Sequence, residues 1–354
     1  MTHVSRHEVD LDHAKRLRDG SRRLIPTMSR RFREKPDLGN AETLGTCALD
    51  VVQCNVLLDP AAEENVELIR IAARTAALHW ALHHSGGRPV EMPIASDAPE
   101  RVEGNVDESE LSSASWLKAF HLAALADDPI ALAAICYAPI DVWRSSPTKT
   151  EEYTHLFADA MRKYVLRDET AGATLLDALR ASDPARRQYL DVDWILDIDV
   201  PVIEVATRLF SRDSSAMDAS LIKAFELFRT YWTRRARPTD PKGWFATSLA
   251  AQMMLAWRAG MTLRSTSDYV PAPLLDRLQD ARSHALVLCP YCVVPIPASA
   301  TVCHACLEDP RKDAAIEETV DEYQSAPRKR CSHCATAIHH LAVRCPACRT
   351  RFTG

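Results

Sequence analysis

The stretch Val66–Leu82, VELIRIAARTAALHWAL, places apolar side chains at the spacing of one helix face. Gly86 and Gly87 follow it and predict that the helix ends near His84. From residue 88 to residue 106 the pattern is short, extended and proline-containing, which predicts a hairpin or a loop excursion. The stretch therefore predicts one long helix and a break after it.

Helical spacing of apolar residues recurs in segments that should pack against one another. These segments are Leu11–Phe32, Leu44–Leu58, Trp116–Leu125 and Leu221–Trp232. Asp128 and Pro129 are typical of the N-cap and first turn of a further helix that runs through Tyr137. Only 10 glycines occur in 354 residues, and the many Ala, Leu, Arg and Glu residues favour helix. We predict a mainly α fold, with a multi-helix body over residues 1–286.

The most apolar stretch, Gly243–Gly260, contains Gln252 and Arg258 and is shorter than the roughly 20 residues that span a bilayer. We interpret it as a buried core helix and expect no membrane insertion. The first residues of the chain are polar and charged, unlike a signal peptide. We therefore expect a cytoplasmic protein.

Eight of the 11 cysteines form two sets with the same spacing, C-x2-C-x10-C-x2-C, repeated after 42 residues. The first set is Cys289, Cys292, Cys303 and Cys306, and the second is Cys331, Cys334, Cys345 and Cys348. Two C-x2-C knuckles bring four thiolates to one tetrahedral ion, and the ten residues between them have room for a short strand, a turn and a return strand. We predict two structural Zn²⁺ ions in tandem four-cysteine ribbons with short β-hairpins.

A closed four-cysteine site leaves no coordination position for water, so these ions should stabilise the fold and take no part in hydrolysis. Interleaved pairing would close the 38 residues between Cys292 and Cys331, which costs about 1 kcal/mol more than a ten-residue loop. Sequential pairing is therefore preferred; eight buried thiols without metal are the remaining alternative. The chain then divides into ribbon 1 (287–308), a charged connector (309–328) and ribbon 2 (329–354).

The formal net charge of -5 becomes about -9 when each zinc centre carries -2, which argues against non-specific nucleic-acid binding by the whole molecule. The second ribbon is basic and contains no Asp or Glu. Its basic residues, counted from the end of the connector, are Arg328, Lys329, Arg330, Arg344, Arg349 and Arg351. They offer a contact for nucleic-acid phosphates, although they also offset the dianionic metal centre.

The body contains none of the phosphate-loop, dinucleotide-binding, nucleophile-elbow or zinc-peptidase signatures. We predict no enzyme activity, no catalytic residues and no cofactor-binding residues. His79 and His83 are four positions apart, but Trp80 stands where a metallopeptidase would carry its glutamate. We interpret both histidines as helix-end residues near the C-terminal dipole.

Four carboxylates crowd into LDVDWILDID: Asp191, Asp193, Asp197 and Asp199. Their alternation with apolar residues would place them on one side of an extended chain. A divalent cation, a basic partner or plain solvent could face such an edge. Cys47 and Cys54 are seven apart on a predicted amphipathic helix and are interpreted as small core residues.

Three groups of residues mark the start, middle and end of the body. They are Arg6, His7, Val9 and Asp10; Trp116, Leu117, Ala119 and Phe120; and Ser267, Tyr269, Pro271, Leu274 and Leu275. In these landmarks, which bracket most of residues 4–280, the body resembles the immunity protein 49 family of bacterial polymorphic-toxin systems.

The resemblance implies a mostly α-helical cytoplasmic protein that binds and blocks a cognate protein toxin. A body with 35 basic and 41 acidic side chains could steer association with a basic toxin. The ribbons depart from the usual family pattern. The alternative is therefore an adaptor or regulator whose ribbons bind protein or nucleic acid.

Overall fold

The structure is a computed structural model that describes residues 2–95, 98–136, 140–235 and 237–279, and the short pieces 286–288, 295–297, 328–330, 337–339 and 342. Helices dominate these residues, which confirms the mainly α fold. They are α1 (Leu11–Glu34), α2 (Leu38–Leu58), α3 (Glu64–His84), α4 (Ser113–Leu125), α5 (Pro129–Cys136), α6 (Asp141–Ser145), α7 (Glu152–Val165), α8 (Ala171–Ala181), α9 (Val192–Trp194), α10 (Val200–Ser211), α11 (Ser214–Arg235), α12 (Thr247–Arg258) and α13 (Ala272–Gln279). A π turn, Ile195–Asp199, joins α9 to α10, and 3₁₀ turns occupy Glu108–Glu110, Pro184–Arg186 and Pro241–Gly243.

The helix ends follow from capping chemistry. Asp128 begins α5 as predicted, because its Oδ1 accepts the amide of Ala131 at 2.8 Å and Pro129 is the first helical residue. At the other end of a helix, α3 stops at His84, and Gly86 and Gly87 take positive φ values of 67° and 81°. Both predicted boundaries are confirmed.

The core forms where the helices stack on one another. Helix α2 packs between α1 and α3, α3 packs on α4 and α5, and α4 packs on α12. Large side chains fill the contacts, among them Trp80, Trp116 and Phe120, each at most 1% exposed. Every residue of α12 from Leu249 to Trp257 is buried, which confirms the predicted core helix. No helix in the described part of the chain is long and apolar enough to cross a bilayer.

Short strand pairs complete the body. Strands β2 (Val90–Met92) and β3 (Glu100–Val102) form an antiparallel hairpin, which confirms the predicted excursion after α3. Strands β1 (His3–Val4) and β4 (Thr266–Ser267) pair in parallel, although they lie at opposite ends of the body. The second pair brings the first and last landmarks of the sequence together.

Three residues from those landmarks make one buried cluster. The Tyr269 hydroxyl accepts the His7 amide at 3.0 Å and lies 2.8 Å from His7 Nδ1. The Arg6 guanidinium lies over the Tyr269 ring, 5.5 Å from its centroid, and donates to the Val56 carbonyl at 3.0 Å. These landmarks therefore close the body, and their contacts are structural.

Two further hairpins lie in the C-terminal region. Strand β5 (Leu286–Leu288) pairs antiparallel with β6 (Pro295–Pro297), and β7 (Arg328–Arg330) pairs antiparallel with β8 (Ala337–His339). The residues between the paired strands include the first C-x2-C of each set. Strands β6 and β8 lie inside the ten-residue spacers of the two cysteine sets, and each pairs with a strand that precedes the first cysteine of its set. The cysteine spacing predicted instead that both strands of each hairpin lie within the spacer.

Two buried histidines have lowered pKa values, and we therefore predict that acid lowers the unfolding free energy of the protein. Burial lowers the pKa of His121 to about 4, and burial together with Arg6 lowers the pKa of His7 to about 4, from 6.5. Between pH 4 and pH 6.5 the unfolded chain therefore binds more protons at these two histidines than the folded chain does. The stabilisation that the two neutral histidines provide is complete above pH 6.5 and is lost as the pH falls through 4. Burial raises the pKa of Asp199 to about 6, which offsets part of this loss.

We expect the net unfolding free energy to fall between about pH 6.5 and about pH 4, as measured by urea unfolding across that range. The variant His121→Phe should show a shallower pH dependence over the same interval. An unchanged slope in that variant would contradict the assignment.

Candidate functional site

The acidic residues of the body concentrate directly after α3. Residues 88–110, here called the acidic segment, carry seven acidic and two basic side chains, so this short stretch has a formal charge equal to that of the whole chain. Five of its carboxylates are exposed: Glu91, Glu103, Asp107, Glu108 and Glu110. The hairpin was predicted from the sequence, but this concentration of charge was not, although a local count of acidic residues would have found it.

An open cleft of about 410 Å³ lies where the acidic segment meets the start of α2. Its lining residues are Asp37, Gly87, Pro89, Glu103, Gly104 and Asn105. Backbone hydrogen bonds join its two walls, because Leu38 N donates to the Glu103 carbonyl at 3.0 Å and Glu103 N donates to the Pro36 carbonyl at 3.1 Å. The cleft is therefore a built feature with carboxylates on both sides.

Local hydrogen bonds lower the pKa values of two carboxyls in this region, Asp37 and Asp107. The amide of Asn40, which donates to Asp37 Oδ1 at 2.8 Å, lowers the pKa of Asp37, and Lys35 adds to this effect. The amide of Ser109 lowers the pKa of Asp107 in the same way. The hydrogen bonds thus favour the charged form of both side chains, and the surface suits a cationic ligand or a basic protein face.

Gly104 is required by the close approach of α2. A Cβ atom at this position would lie 2.7 Å from Leu38 Cβ, inside any real contact distance. We expect Gly104→Ala to push the acidic segment away from α2 and to lower the unfolding free energy by about 1–3 kcal/mol, as measured by urea unfolding. Gly172→Ala, where nothing lies within 4 Å, is the matched control and should lose no stability. Equal stability of the two variants would contradict this account.

A buried arginine anchors the acidic segment to the core. Arg74 on α3 is paired with Asp128, with Nε 2.6 Å from Oδ2, and the two side chains are 10% and 1% exposed. Its Nη1 also donates to the Pro93 carbonyl at 2.6 Å, just after β2. Arg74 therefore links the hairpin to the N-cap of α5, and it is a positioning residue for the acidic surface.

His79 supports the same surface from beneath. Its Nε2 lies 3.1 Å from a carboxylate oxygen of Glu42, and burial lowers its pKa while Glu42, Glu110 and Asp107 oppose that shift. His83 lies in the last turn of α3, where imidazoles complement the helix dipole. The helix-end interpretation fits His83, and His79 pairs with a carboxylate of α2.

The aspartates of residues 191–199 do not line an extended edge, so that prediction is wrong. The segment is helical: Asp191 caps α9, Asp197 pairs with Arg234, and Asp199 accepts the Tyr153 hydroxyl at 2.6 Å. Ile195, Ile198 and Val202 are buried at helical spacing, and this period overrode the local alternation. Within the described residues, no group of three His, Cys, Asp or Glu side chains could hold a metal ion.

The cysteines of the body are core residues. Cys47, Cys54 and Cys136 are buried free thiols, and burial raises the pKa of each, to about 12 for Cys54 and Cys136. The interpretation of Cys47 and Cys54 as small core residues is confirmed. The eight predicted zinc ligands, from Cys289 to Cys348, lie outside the described residues.

Helix α1 carries a surface of the opposite sign. It contains eight basic and three acidic residues, and its fully buried positions are confined to one narrow stripe. Arg16, Arg31 and Arg33 are exposed and form no ion pair with the carboxylates of the described part of the chain. The described residues therefore carry a basic helix as well as the acidic segment.

Comparison with known proteins adds one finding. Residues 59–274 match the family model described as immunity protein 49. The matched residues include the acidic segment, the landmark at 116–120 and the landmark at 267–275 except for Leu275. The landmark at 6–10 and helix α1 precede the matched residues. No curated protein and no solved structure matches the chain.

Proposed function

The chain belongs to the immunity protein 49 family, and on this premise we propose that it binds and neutralises a cognate protein toxin through its helical body. We assign the toxin-binding surface to the acidic segment, because this segment lies inside the family match and presents five exposed carboxylates. We place this activity in the cytoplasm of the producing cell, within a polymorphic-toxin system.

The chemistry of the acidic segment defines the partner. Acidic side chains on both walls of the cleft favour a toxin face that presents Lys or Arg side chains. Such charge complementarity accelerates encounter and rejects acidic partners, and it weakens as salt screens exposed charges. Neutralisation then requires only that the bound body covers the toxin's working surface, so the protein needs no catalytic group of its own.

Survival of cells tests this proposal. A candidate toxin domain, sought among the genes that neighbour this one, is expressed in a sensitive host with the wild-type chain, or with a variant carrying Glu103→Lys, Glu108→Lys and Glu110→Lys. We expect the wild type to protect and the variant to fail. The matched control, Asp12→Lys with Asp19→Lys on α1, exchanges exposed carboxylates outside the family match and should protect. Failure of the wild type to protect would overturn the proposal.

For the C-terminal region we propose two structural zinc ribbons that serve as an accessory interaction module. One support for this proposal is the repetition of the cysteine spacing after 42 residues. A second support is that the first C-x2-C of each set lies, in sequence, between two paired strands. The register of the two pairs is the same, because Leu288 pairs with Pro295 and Arg330 pairs with Ala337. Paired strands on either side of a C-x2-C suit a metal-binding knuckle, because they fix the two ends of the segment that carries the thiolates. The division into ribbon 1, connector and ribbon 2 is part of this proposal.

Metal content tests the zinc proposal directly. Elemental analysis of the purified chain should give two Zn²⁺ ions per molecule, because each set of four cysteines supplies a complete tetrahedral site. Cys289→Ser and Cys331→Ser should each remove one ion, while Cys136→Ser, in the core of the body, should remove none. A single ion in the wild type, or loss of both ions from either ligand variant, would contradict independent sites.

A further inference from the structure

A second exposed feature lies in the segment between α8 and α10. Tyr189 is 53% exposed and Leu196 is 45% exposed, which places them with Leu11, Leu24 and Leu176 among the exposed large apolar side chains of the described residues. Half-buried Trp194 lies between them in sequence and packs edge-on against Tyr231. Tyr and Trp are enriched at the centres of protein interfaces, so an exposed tyrosine with a half-buried tryptophan five residues later is a candidate contact.

The backbone of this segment is held from within. The carboxylate of Glu151, which is 3% exposed, accepts the amides of Gln188, Tyr189 and Leu190 at 2.7–3.0 Å. A carboxylate that receives several amides makes strong charge-assisted hydrogen bonds. Tyr189 is therefore presented on a fixed backbone, and little backbone conformational entropy remains to be lost when its ring is bound.

The other end of the segment is fixed as well. Asp191 caps α9, and the π turn that follows carries Leu196 outward while Ile195 and Ile198 enter the core. Asp199, at the end of this turn, accepts the buried Tyr153 hydroxyl at 2.6 Å. π turns occur disproportionately at functional positions because they redirect one side chain from a regular helix.

The segment is joined to the acidic segment by one short connection, residues 146–151. Ser146 Oγ donates to the Glu108 carbonyl at 2.9 Å, and Thr148 Oγ1 donates to the Ser109 carbonyl at 2.8 Å. Glu151, at the other end of this connection, holds the Tyr189 backbone. The acidic 3₁₀ turn and the backbone of Tyr189 thus contact the same connection.

We propose that Tyr189 and Leu196 form the apolar centre of the toxin-binding surface, continuous with the acidic segment. This rests on the proposed function and specifies its partner: the toxin presents an apolar pocket for the Tyr189 ring and basic side chains toward Asp191 and Glu108. Arg186 and Arg187 precede Tyr189, so the border on that side is basic and favours an acidic or carbonyl group of the toxin. The mixed border provides orientation in addition to attraction.

Affinity for the candidate toxin domain of the survival experiment, prepared in a catalytically inactive form, tests this inference. We expect Tyr189→Ala to raise the dissociation constant by about 30-fold or more and Leu196→Ala by about 5-fold to 10-fold. Leu176→Ala on α8 removes a side chain that is 49% exposed, and it should change affinity by less than about 2-fold. Melting temperatures of all variants establish that each is folded.

The outcomes separate this inference from the proposed function. If the wild type binds and Tyr189→Ala binds equally well, the apolar centre is wrong while the immunity function stands. If the wild type does not bind the toxin domain, the proposed function itself fails. If Tyr189→Ala loses binding and Leu176→Ala does not, the inference is supported.

Discussion

Arg74→Met is expected to lower the unfolding free energy by about 3–5 kcal/mol. The substitution leaves Asp128 as an unpaired carboxylate that is 1% exposed, and it removes the hydrogen bond that fixes the Pro93 carbonyl beside β2. Urea unfolding measures the stability loss. Because the same side chain anchors the acidic segment, toxin affinity should also fall in the protein that remains folded.

An exposed ion pair provides the comparison for this prediction. Arg180 and Asp177 are paired at 2.8 Å, but their side chains are 73% and 57% exposed. Arg180→Met should therefore cost at most about 1 kcal/mol. The double change Arg74→Met with Asp128→Leu should recover part of the loss, since it removes the buried charge. A loss no larger than that of Arg180→Met would show that Arg74 does not anchor the fold.

Glu151→Ala is expected to lower the unfolding free energy by about 3–5 kcal/mol, because the amides of Gln188, Tyr189 and Leu190 lose their acceptor at a site that excludes most water. Glu151→Gln retains an acceptor oxygen without the charge and should lose about 1–2 kcal/mol. Urea unfolding of the wild type and of both variants measures these losses of unfolding free energy. The loop that carries Tyr189 should also exchange its amide hydrogens faster in both.

The neighbouring residue is the natural control. Glu152 forms a bidentate pair with Arg144 at 2.8 Å, but both side chains are more than half exposed. Glu152→Ala should cost at most about 1 kcal/mol. If Glu151→Ala and Glu152→Ala have equal effects, then the amide contacts of Glu151 contribute little, and Tyr189 is not held as we describe.

Local signals in the sequence predicted the helices well where capping and periodicity agree. Asp128 and Pro129 mark the start of α5 because an N-cap carboxylate and a first-turn proline act within one helical turn. The apolar period of Val66–Leu82 persists for several turns and identifies α3. Such features need no knowledge of distant residues.

Contacts between distant residues could not be predicted in this way. Arg74 and Asp128 are 54 positions apart, and His7 and Tyr269 are 262 positions apart. Nothing local in either sequence segment specifies the partner. The aspartates of residues 191–199 show the opposite problem, because a local alternation suggested a strand while the longer helical period of Ile195, Ile198 and Val202 prevailed.

The candidate site was predicted only in part. The resemblance to immunity proteins implied a binding surface, and the excess of acidic residues suggested its sign, but neither located it. The structure places Glu103 of the acidic segment in the cleft at the start of α2 and shows that four further carboxylates of this segment are exposed. It also shows that Tyr189 and Leu196 remain exposed, which no pattern of apolar residues could distinguish from burial.

The most direct test of the central claim is the affinity of the candidate toxin domain for the wild-type chain and for a variant with Glu103→Gln, Glu108→Gln and Glu110→Gln. These side chains are exposed, so the variant should keep its melting temperature. We predict a dissociation constant about 100-fold higher in the variant, and weaker salt dependence than in the wild type, because each lost charge removes roughly 1 kcal/mol. Equal affinity and equal salt dependence of the two proteins would contradict the assignment of the acidic segment as the toxin-binding surface.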